Sequence, residues 1–187
     1  MPTREDAFNL LKAYNGDALV IHGLAVEGTM RYFSQKAGED EELWGLVGLL
    51  HDLDYEKFPE QHCHKTAEIL REKGYSEEII RAIMSHGWGI CTDLEPQSKM
   101  EKTLYAVDEL TGLITACALV RPSKSVMDLE LSSAKKKFKD KNFAAGASRE
   151  VISKGADMLG VTIDELIVDV IAAMRAIAPH LGLELKN

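Results

Sequence analysis

One histidine–aspartate pair closes an apolar segment of this sequence, in the run Leu49-Leu50-His51-Asp52-Leu53-Asp54. Trp44 and Val47 fall on the same helical face as His51, so the pair is expected at the core-facing end of a helix. Burying an imidazole beside a carboxylate is costly unless a partner compensates for their lost hydration. A divalent cation does so directly, because neutral imidazole and carboxylate are both metal ligands. A buried histidine with protein partners, beside an Asp52 that accepts a backbone hydrogen bond, is the alternative.

Two further residues of ligand type lie in other segments with a helical pattern. His22 belongs to the mostly apolar run 18–25, and Asp108 lies beside an apolar stripe in the segment 98–119. A carboxylate in such a position rarely stays buried without a partner. Inward-facing ligands on three helices are typical of a metal site in the core of a helical bundle.

Taken in order, these residues resemble the H…HD…D signature of the HD-domain superfamily of metal-dependent phosphohydrolases. The resemblance covers roughly residues 18–115 and lies on predicted helices, as that all-α fold requires. It implies that one divalent metal ion is bound by His22, His51, Asp52 and Asp108.

Two more histidines fit the binuclear branch of that superfamily, which has additional histidines between the His-Asp pair and the last aspartate. His64 and His86 occupy such positions. In this interpretation Asp52 bridges two metal ions, His64 and His86 bind the second ion, and these three residues form the catalytic set. The alternative is a mononuclear site, with His64 on the surface and His86 capping a helix.

The sequence departs from the family where many relatives carry a lysine that helps to hold phosphate. Those relatives read His-Asp-Ile-Gly-Lys, whereas Tyr55 occupies the place of that lysine here. Lys57, Arg121 and Lys124 are the candidate substrate-binding residues, with Arg149 or the metals alone as alternatives. The Gly-Tyr-Pro motif of the signalling phosphodiesterase branch is absent from the sequence. The lysine run over 135–141 is expected to be a solvated helix face.

Three functions follow from these residues. The first is hydrolysis of a small phosphoester, with nucleotides among the candidates, by a metal-activated water. The second is a di-iron oxygenase of the same superfamily, and the third is a non-catalytic module that binds a metal or ligand. The mixed ligand set favours Mn, Fe, Co, Ni or Zn over Mg, with one or two ions bound. A structural zinc at His62-Cys63-His64, with His86 and Cys91, is a weaker alternative because paired Cys-x-x-Cys spacing is missing.

The elements that must position these side chains are predicted to be helices almost throughout. Apolar residues recur with a 3.6-residue period, most clearly from Ile163 to Ile177, and no strand-like alternation persists. Nine or so helices are predicted, near residues 4–14, 17–36, 43–51, 61–73, 76–84, 98–119, 126–138, 151–158 and 163–177. We expect an all-α, single-domain bundle of the HD type, in which the helices over 126–180 complete the domain begun by the signature region.

Composition restricts the remaining classes of protein. The chain has 187 residues, of which 45% are hydrophobic, and this content excludes a disordered chain. A net charge of -8 without a basic stripe disfavours nucleic acid as a partner. The longest apolar run, 114–120, is far shorter than the roughly 20 residues of a membrane span. With three cysteines and no leader-like N-terminus, the sequence predicts a cytoplasmic protein that acts on a small-molecule phosphoester.

Overall fold

The computed structural model describes residues 2–185, and this part of the chain has an all-α fold. It contains ten α-helices and a short 3-10 helix at Pro59–Gln61, and no β-strand. The α-helices are α1 Arg4–Tyr14, α2 Asp17–Ala37, α3 Glu41–Leu50, α4 His64–Glu72, α5 Glu77–Ser85, α6 Lys99–Leu119, α7 Leu131–Lys139, α8 Arg149–Leu159, α9 Ile163–Ala176 and α10 Ala178–Leu181. The predicted fold class is confirmed. Within the described residues, no helix combines the length and apolarity needed to cross a membrane.

The chain divides into two compact units between Tyr105 and Ala106. In the first unit, α3 packs against α2, α1 and α5, and α4 packs against α5. In the second unit, α9 packs against α7 and α8. Helix α6 begins in the first unit and ends in the second. The single domain expected from the sequence stays a prediction.

Helices α2 and α3 approach each other closely because glycines occupy their contact. A Cβ atom added at Gly48 would lie 2.9 Å from the carbonyl oxygen of Val26 and 2.9 Å from Cγ of Met30. On α2, a Cβ at Gly23 would lie 3.1 Å from the carbonyl oxygen of Leu49 on α3 and 2.8 Å from the side chain of Leu11 on α1. The absence of these Cβ atoms lets the two backbones come together next to His22, so a histidine of α2 reaches the end of α3.

Side-chain caps define most of the helix starts that the sequence pattern predicts. The predicted capping box at the start of α9 is present, because Thr162 and Glu165 bond to each other's backbone N–H groups. Helix α8 ends at Gly160, which adopts the left-handed conformation at φ 70°. A glycine is suited to this position because it has no Cβ penalty there.

The structure differs from the predicted helices in two places. The expected helix over 61–73 is interrupted at Cys63, whose φ of 68° is outside the helical range, and α4 starts only at His64. The expected helix over 126–138 starts five residues later, at Leu131. There the carbonyl oxygens of Val126 and Leu129 accept hydrogen bonds from the Arg175 guanidinium. Tertiary partners therefore replace the helical hydrogen bonds of this segment.

Candidate metal centre

The carboxylate of Asp52 lies among four imidazole rings just after the end of α3. Its Oδ2 atom is 3.3 Å from Nε2 of His51 and 3.7 Å from Nε2 of His22. Its Oδ1 atom is 3.5 Å from Nε2 of His62 and also 3.5 Å from Nε2 of His86. Two imidazoles therefore face each carboxylate oxygen, and all four present the same ring nitrogen.

Backbone carbonyl groups orient two of these rings through the opposite nitrogen. Nδ1 of His51 lies 2.8 Å from the carbonyl oxygen of Gly48, and Nδ1 of His86 bonds to the carbonyl oxygen of Ile83. A carbonyl oxygen can only accept, so both Nδ1 atoms carry a proton, and Nε2 is the nitrogen left to bind a metal ion when it is not protonated. This is the orientation in which a histidine binds a metal through Nε2.

A second carboxylate orients the third ring. Asp54 is fully buried, and its Oδ1 atom accepts a 2.8 Å hydrogen bond from Nδ1 of His62. Its Oδ2 atom accepts from the backbone N–H of Thr66, and its own N–H donates to the Thr66 hydroxyl. Asp54 thus links the first turn of α4 and the His62 ring through one network of hydrogen bonds. A carboxylate behind a metal-binding imidazole also makes that imidazole a more basic ligand.

The electrostatics of the cluster favour an ionised Asp52. Burial acts to raise the pKa of this carboxyl, but the charge and hydrogen bond of His51, the hydrogen bond of His86 and the charge of His22 hold it well below its usual range. Burial likewise acts to lower the pKa of His62, and the hydrogen bond and charge of Asp54, with the charge of Asp52, raise it instead. The Asp52 carboxylate is therefore anionic. The surrounding imidazoles stabilise its negative charge, and a bound metal ion would stabilise the same charge.

The donor atoms fit two metal positions that share Asp52. Donor atoms of His22, His51 and Asp52 lie within 4.8 Å of one another, and so do those of Asp52, His62 and His86. Imidazole and carboxylate together suit first-row divalent metals. Oδ2 of Asp52 faces one group and Oδ1 faces the other, so either oxygen of this carboxylate could serve as a metal ligand.

The structure does not bring His64 into this cluster, although the sequence analysis places it at the second metal. The imidazole of His64 is exposed, and its Nε2 atom lies 3.0 Å from the carbonyl oxygen of Cys91. His62, which was not among the predicted ligands of the second metal, lies beside Asp52 instead. The positive φ of Cys63 separates the two histidines, so they point differently although they are only two residues apart. Asp54, in the same run as the His-Asp pair, is the sequence signal that could have indicated a partner for His62.

The fourth ligand implied by the signature, Asp108, belongs to the second unit. It is half-buried on α6, and its carbonyl oxygen accepts a 2.7 Å hydrogen bond from the hydroxyl of Thr111. Its role as a metal ligand stays a prediction.

Two of the three candidate phosphate-binding side chains, Lys57 and Arg121, already have protein partners. Lys57 donates a 2.6 Å hydrogen bond to the carbonyl oxygen of Ala13, near the end of α1. In the second unit, Arg121 forms a 2.9 Å ion pair with Asp128, and Lys124 lies in the adjacent loop at φ 50°.

The Arg149 guanidinium, in turn, donates to backbone carbonyl groups between Lys137 and Ala147. At the place of the family's lysine, the half-exposed ring of Tyr55 packs edge-on against His62, with the ring centres 5.0 Å apart.

Comparison with known families agrees with this geometry. The HD domain family matches residues 19–113, which is just over half of the chain. The chain belongs to the HD-domain superfamily, whose members bind divalent metals and are mostly metal-dependent phosphohydrolases. No solved structure matches the chain.

Proposed function

We propose that this protein is a phosphohydrolase that uses two metal ions bridged by Asp52 to hydrolyse a small phosphoester. The observation that carries the proposal is the division of four imidazoles between the two oxygens of one carboxylate. His22 and His51 would hold the first ion, with Asp108 from the family signature, and His62 and His86 would hold the second. When bound, such a pair supplies a hydroxide near neutral pH and neutralises the phosphoryl oxygens.

The residues of the chain act by orienting these ligands. Gly48, Ile83 and Asp54 fix three imidazole rings through Nδ1, so the ligand nitrogens are in place before the metal arrives. Prearranged ligands avoid an ordering cost during the reaction.

Charge explains why the metals themselves must bind the phosphate. Residues 1–105 contain 11 Lys and Arg against 19 Asp and Glu, while residues 106–187 contain 11 of each. An anionic substrate is repelled by this acidic first unit unless bound cations reverse the charge locally. Lys57 and Arg121, each engaged with a protein partner, are therefore secondary to the metals in phosphate binding.

A di-iron oxygenase is the second candidate, and the histidine-rich cluster is the observation that favours it. Four imidazoles around one carboxylate suit iron as well as manganese or zinc. The two candidates differ in their co-substrate, because only the oxygenase consumes dioxygen.

Metal counting with matched histidine variants tests the proposal. The protein is stripped with a chelator, reloaded with Mn²⁺ and analysed for metal content and for hydrolysis of p-nitrophenyl phosphate, bis-p-nitrophenyl phosphate and a nucleotide panel. We expect about two ions per chain in the wild type and about one in His62→Gln, as for other binuclear hydrolases. The control His64→Gln, two residues away, should keep two ions.

Asp52→Asn should lose both metal binding and hydrolysis. If His64→Gln loses the second ion and His62→Gln keeps it, the assigned ligand set is wrong. Dioxygen uptake by the iron-loaded protein, together with no hydrolysis of any phosphoester in the panel, would favour the oxygenase.

A further inference from the structure

The thiols of Cys63 and Cys91 touch each other beside the candidate metal centre. Their Sγ atoms lie 3.3 Å apart, whereas a disulfide bond measures about 2.05 Å. The two sulfurs need to approach by only about 1.3 Å to form that bond. The two residues are 28 positions apart in the sequence, so the tertiary structure creates this pair.

Gly87 leaves the space in which the two sulfurs meet. A Cβ atom added at Gly87 would collide with Sγ of Cys91 and would lie 2.8 Å from Sγ of Cys63. The carbonyl oxygen of Gly87 also accepts hydrogen bonds from the N–H groups of Cys91 and Thr92, at 2.9 and 3.1 Å. Gly87 thus fixes the Cys91 loop through its carbonyl oxygen, and its lack of a Cβ atom leaves space for the contact between the two thiols.

The two thiols differ in their access to solvent. Cys91 lines a pocket of about 360 Å³ on the surface, together with His64, Gly89, Ile90, Thr92 and Asp93. Cys63 is completely buried behind it. A small polar oxidant entering this pocket meets Cys91 first, and Cys63 is then the nearest thiol to the oxidised sulfur.

We propose that Cys63 and Cys91 form a reversible intrachain disulfide when hydrogen peroxide reaches Cys91 through this pocket. The sulfur of Cys91 attacks one peroxide oxygen, the O–O bond breaks, and the departing hydroxide takes up the thiol proton as water. The resulting sulfenic acid is attacked by the sulfur of Cys63, the S–S bond forms, and a second water leaves with the Cys63 proton. Two thiols and one peroxide give one disulfide and two waters, and a dithiol reductant reverses the change.

A metal ion is a poorer explanation for the pair. His62, Cys63 and Cys91 offer three donor atoms within 4.8 Å of one another. However, His62 is held by Asp54 through Nδ1, and its Nε2 lies 3.5 Å from Asp52 in the cluster described above. The sulfur of Cys63 lies 4.0 Å from both ring nitrogens of His86 and 3.3 Å from the sulfur of Cys91, so the second thiol is its closer partner, which favours the disulfide.

Thiol counting on metal-free protein tests the proposal. Reduced, chelator-treated protein is exposed to hydrogen peroxide and examined by thiol titration and peptide mapping without reductant. We expect the number of titratable thiols to fall from three to one, with a mass lower by about 2 Da and a Cys63–Cys91 cross-linked peptide. Dithiothreitol should restore all three thiols.

Single variants separate the roles of the two cysteines. Cys63→Ala should stop at a Cys91 sulfenic acid that dimedone traps, and Cys91→Ala should keep its remaining thiols at the same peroxide dose. The control Cys117→Ala should form the disulfide as the wild type does.

Retention of three thiols in the wild type, a bond that involves Cys117, or a cross-link between two chains would overturn the proposal. Because the protein contains no metal in this experiment, the result is independent of the proposed hydrolase activity.

Discussion

At the residue scale, Asp54 links the candidate metal centre to the fold. One of its oxygens binds the His62 ring, and the other binds the backbone at the start of α4. Because the side chain is fully buried, both bonds form away from water, and the loss of either leaves a buried polar group unpaired. The orientation of a candidate metal-binding imidazole and the stability of a helix start therefore depend on the same carboxylate.

The first prediction concerns this carboxylate. Asp54→Asn places an amide N–H₂ group against one of two donors, His62 or Thr66, so the His62 ring loses its fixed orientation. We expect the affinity for the second metal ion to fall about 10- to 100-fold, the range seen when the partner behind a metal ligand is removed. Competition with a chromophoric chelator measures this change.

The matched control for that variant is Thr66→Val, which removes the hydroxyl on the other side of Asp54. Its effect should be a loss of about 1 kcal/mol in the free energy of unfolding, with the affinity for the second ion preserved. Equal metal affinity in Asp54→Asn and the wild type would contradict the role of Asp54.

At the element scale, the contact between α2 and α3 brings the first pair of candidate ligands together. His22 lies on α2 next to Gly23, and His51 follows α3 three residues after Gly48. Both glycines lie where a Cβ atom would meet a neighbouring helix. The separation of the two helices therefore sets the separation of the two ligands.

The second prediction tests this contact. In Gly48→Ala the new methyl group meets the backbone of Val26 and Glu27, which cannot move without shifting α2. We expect the free energy of unfolding to fall by about 1–3 kcal/mol, as in other overpacked cores. Urea unfolding monitored by tryptophan fluorescence measures the loss.

The control for this variant is Gly112→Ala, which should change the free energy of unfolding in the opposite direction. A Cβ atom added at Gly112, inside α6, meets no atom within 4 Å apart from its chain neighbours and the adjacent backbone of its own helix. Gly112→Ala should therefore raise the free energy of unfolding by about 0.5–1 kcal/mol through helix propensity alone. Because Gly112 lies in the second unit and both tryptophans lie in the first, unfolding of both variants is also followed by circular dichroism. A loss of similar size in both variants would mean that the α2–α3 contact is not the cause.

At the scale of the whole molecule, charged residues and tryptophans are unevenly distributed between the two units. The excess of acidic residues lies in the first unit, and so do both tryptophans, Trp44 and Trp88. Metal ions bound at Asp52 would reduce the repulsion within that unit. Tryptophan fluorescence follows the unfolding of the same unit, while circular dichroism follows the helices of the whole chain.

The third prediction links metal binding to stability. An ion that binds the folded unit and not the unfolded chain should add about 2.7 kcal/mol to the free energy of unfolding at a free concentration of 100 times Kd. We expect the urea concentration at the midpoint of unfolding, monitored by tryptophan fluorescence, to rise when Mn²⁺ is added. A chelator should bring the midpoint back to its value without metal. Asp52→Asn should abolish the rise, and an equal rise in that variant would place the metal elsewhere.

The helices were largely predictable from the sequence, because their signals are local. The apolar period and the capping residues of α9 predict its start and its buried face, and the structure confirms both. The prediction was wrong around Cys63 and over 126–130. There a positive φ at a residue other than glycine and the carbonyl contacts of Arg175 decide the backbone, and neither has a local sequence signal.

The sequence by itself determined the fold class and the family, and it predicted the first group of candidate ligands, since His22, His51 and Asp52 combine an ordered signature with helical apolar faces. Only the tertiary structure decided which of two nearby histidines, His62 or His64, joins Asp52. The sequence analysis chose His64, because periodicity places it at the start of a helix, but that choice depends on one backbone angle at Cys63 and on the distant carboxylate of Asp54. The contact of Cys63 with Cys91 was decided in the same way, because it depends on the folding of the Gly87 loop and not on local spacing.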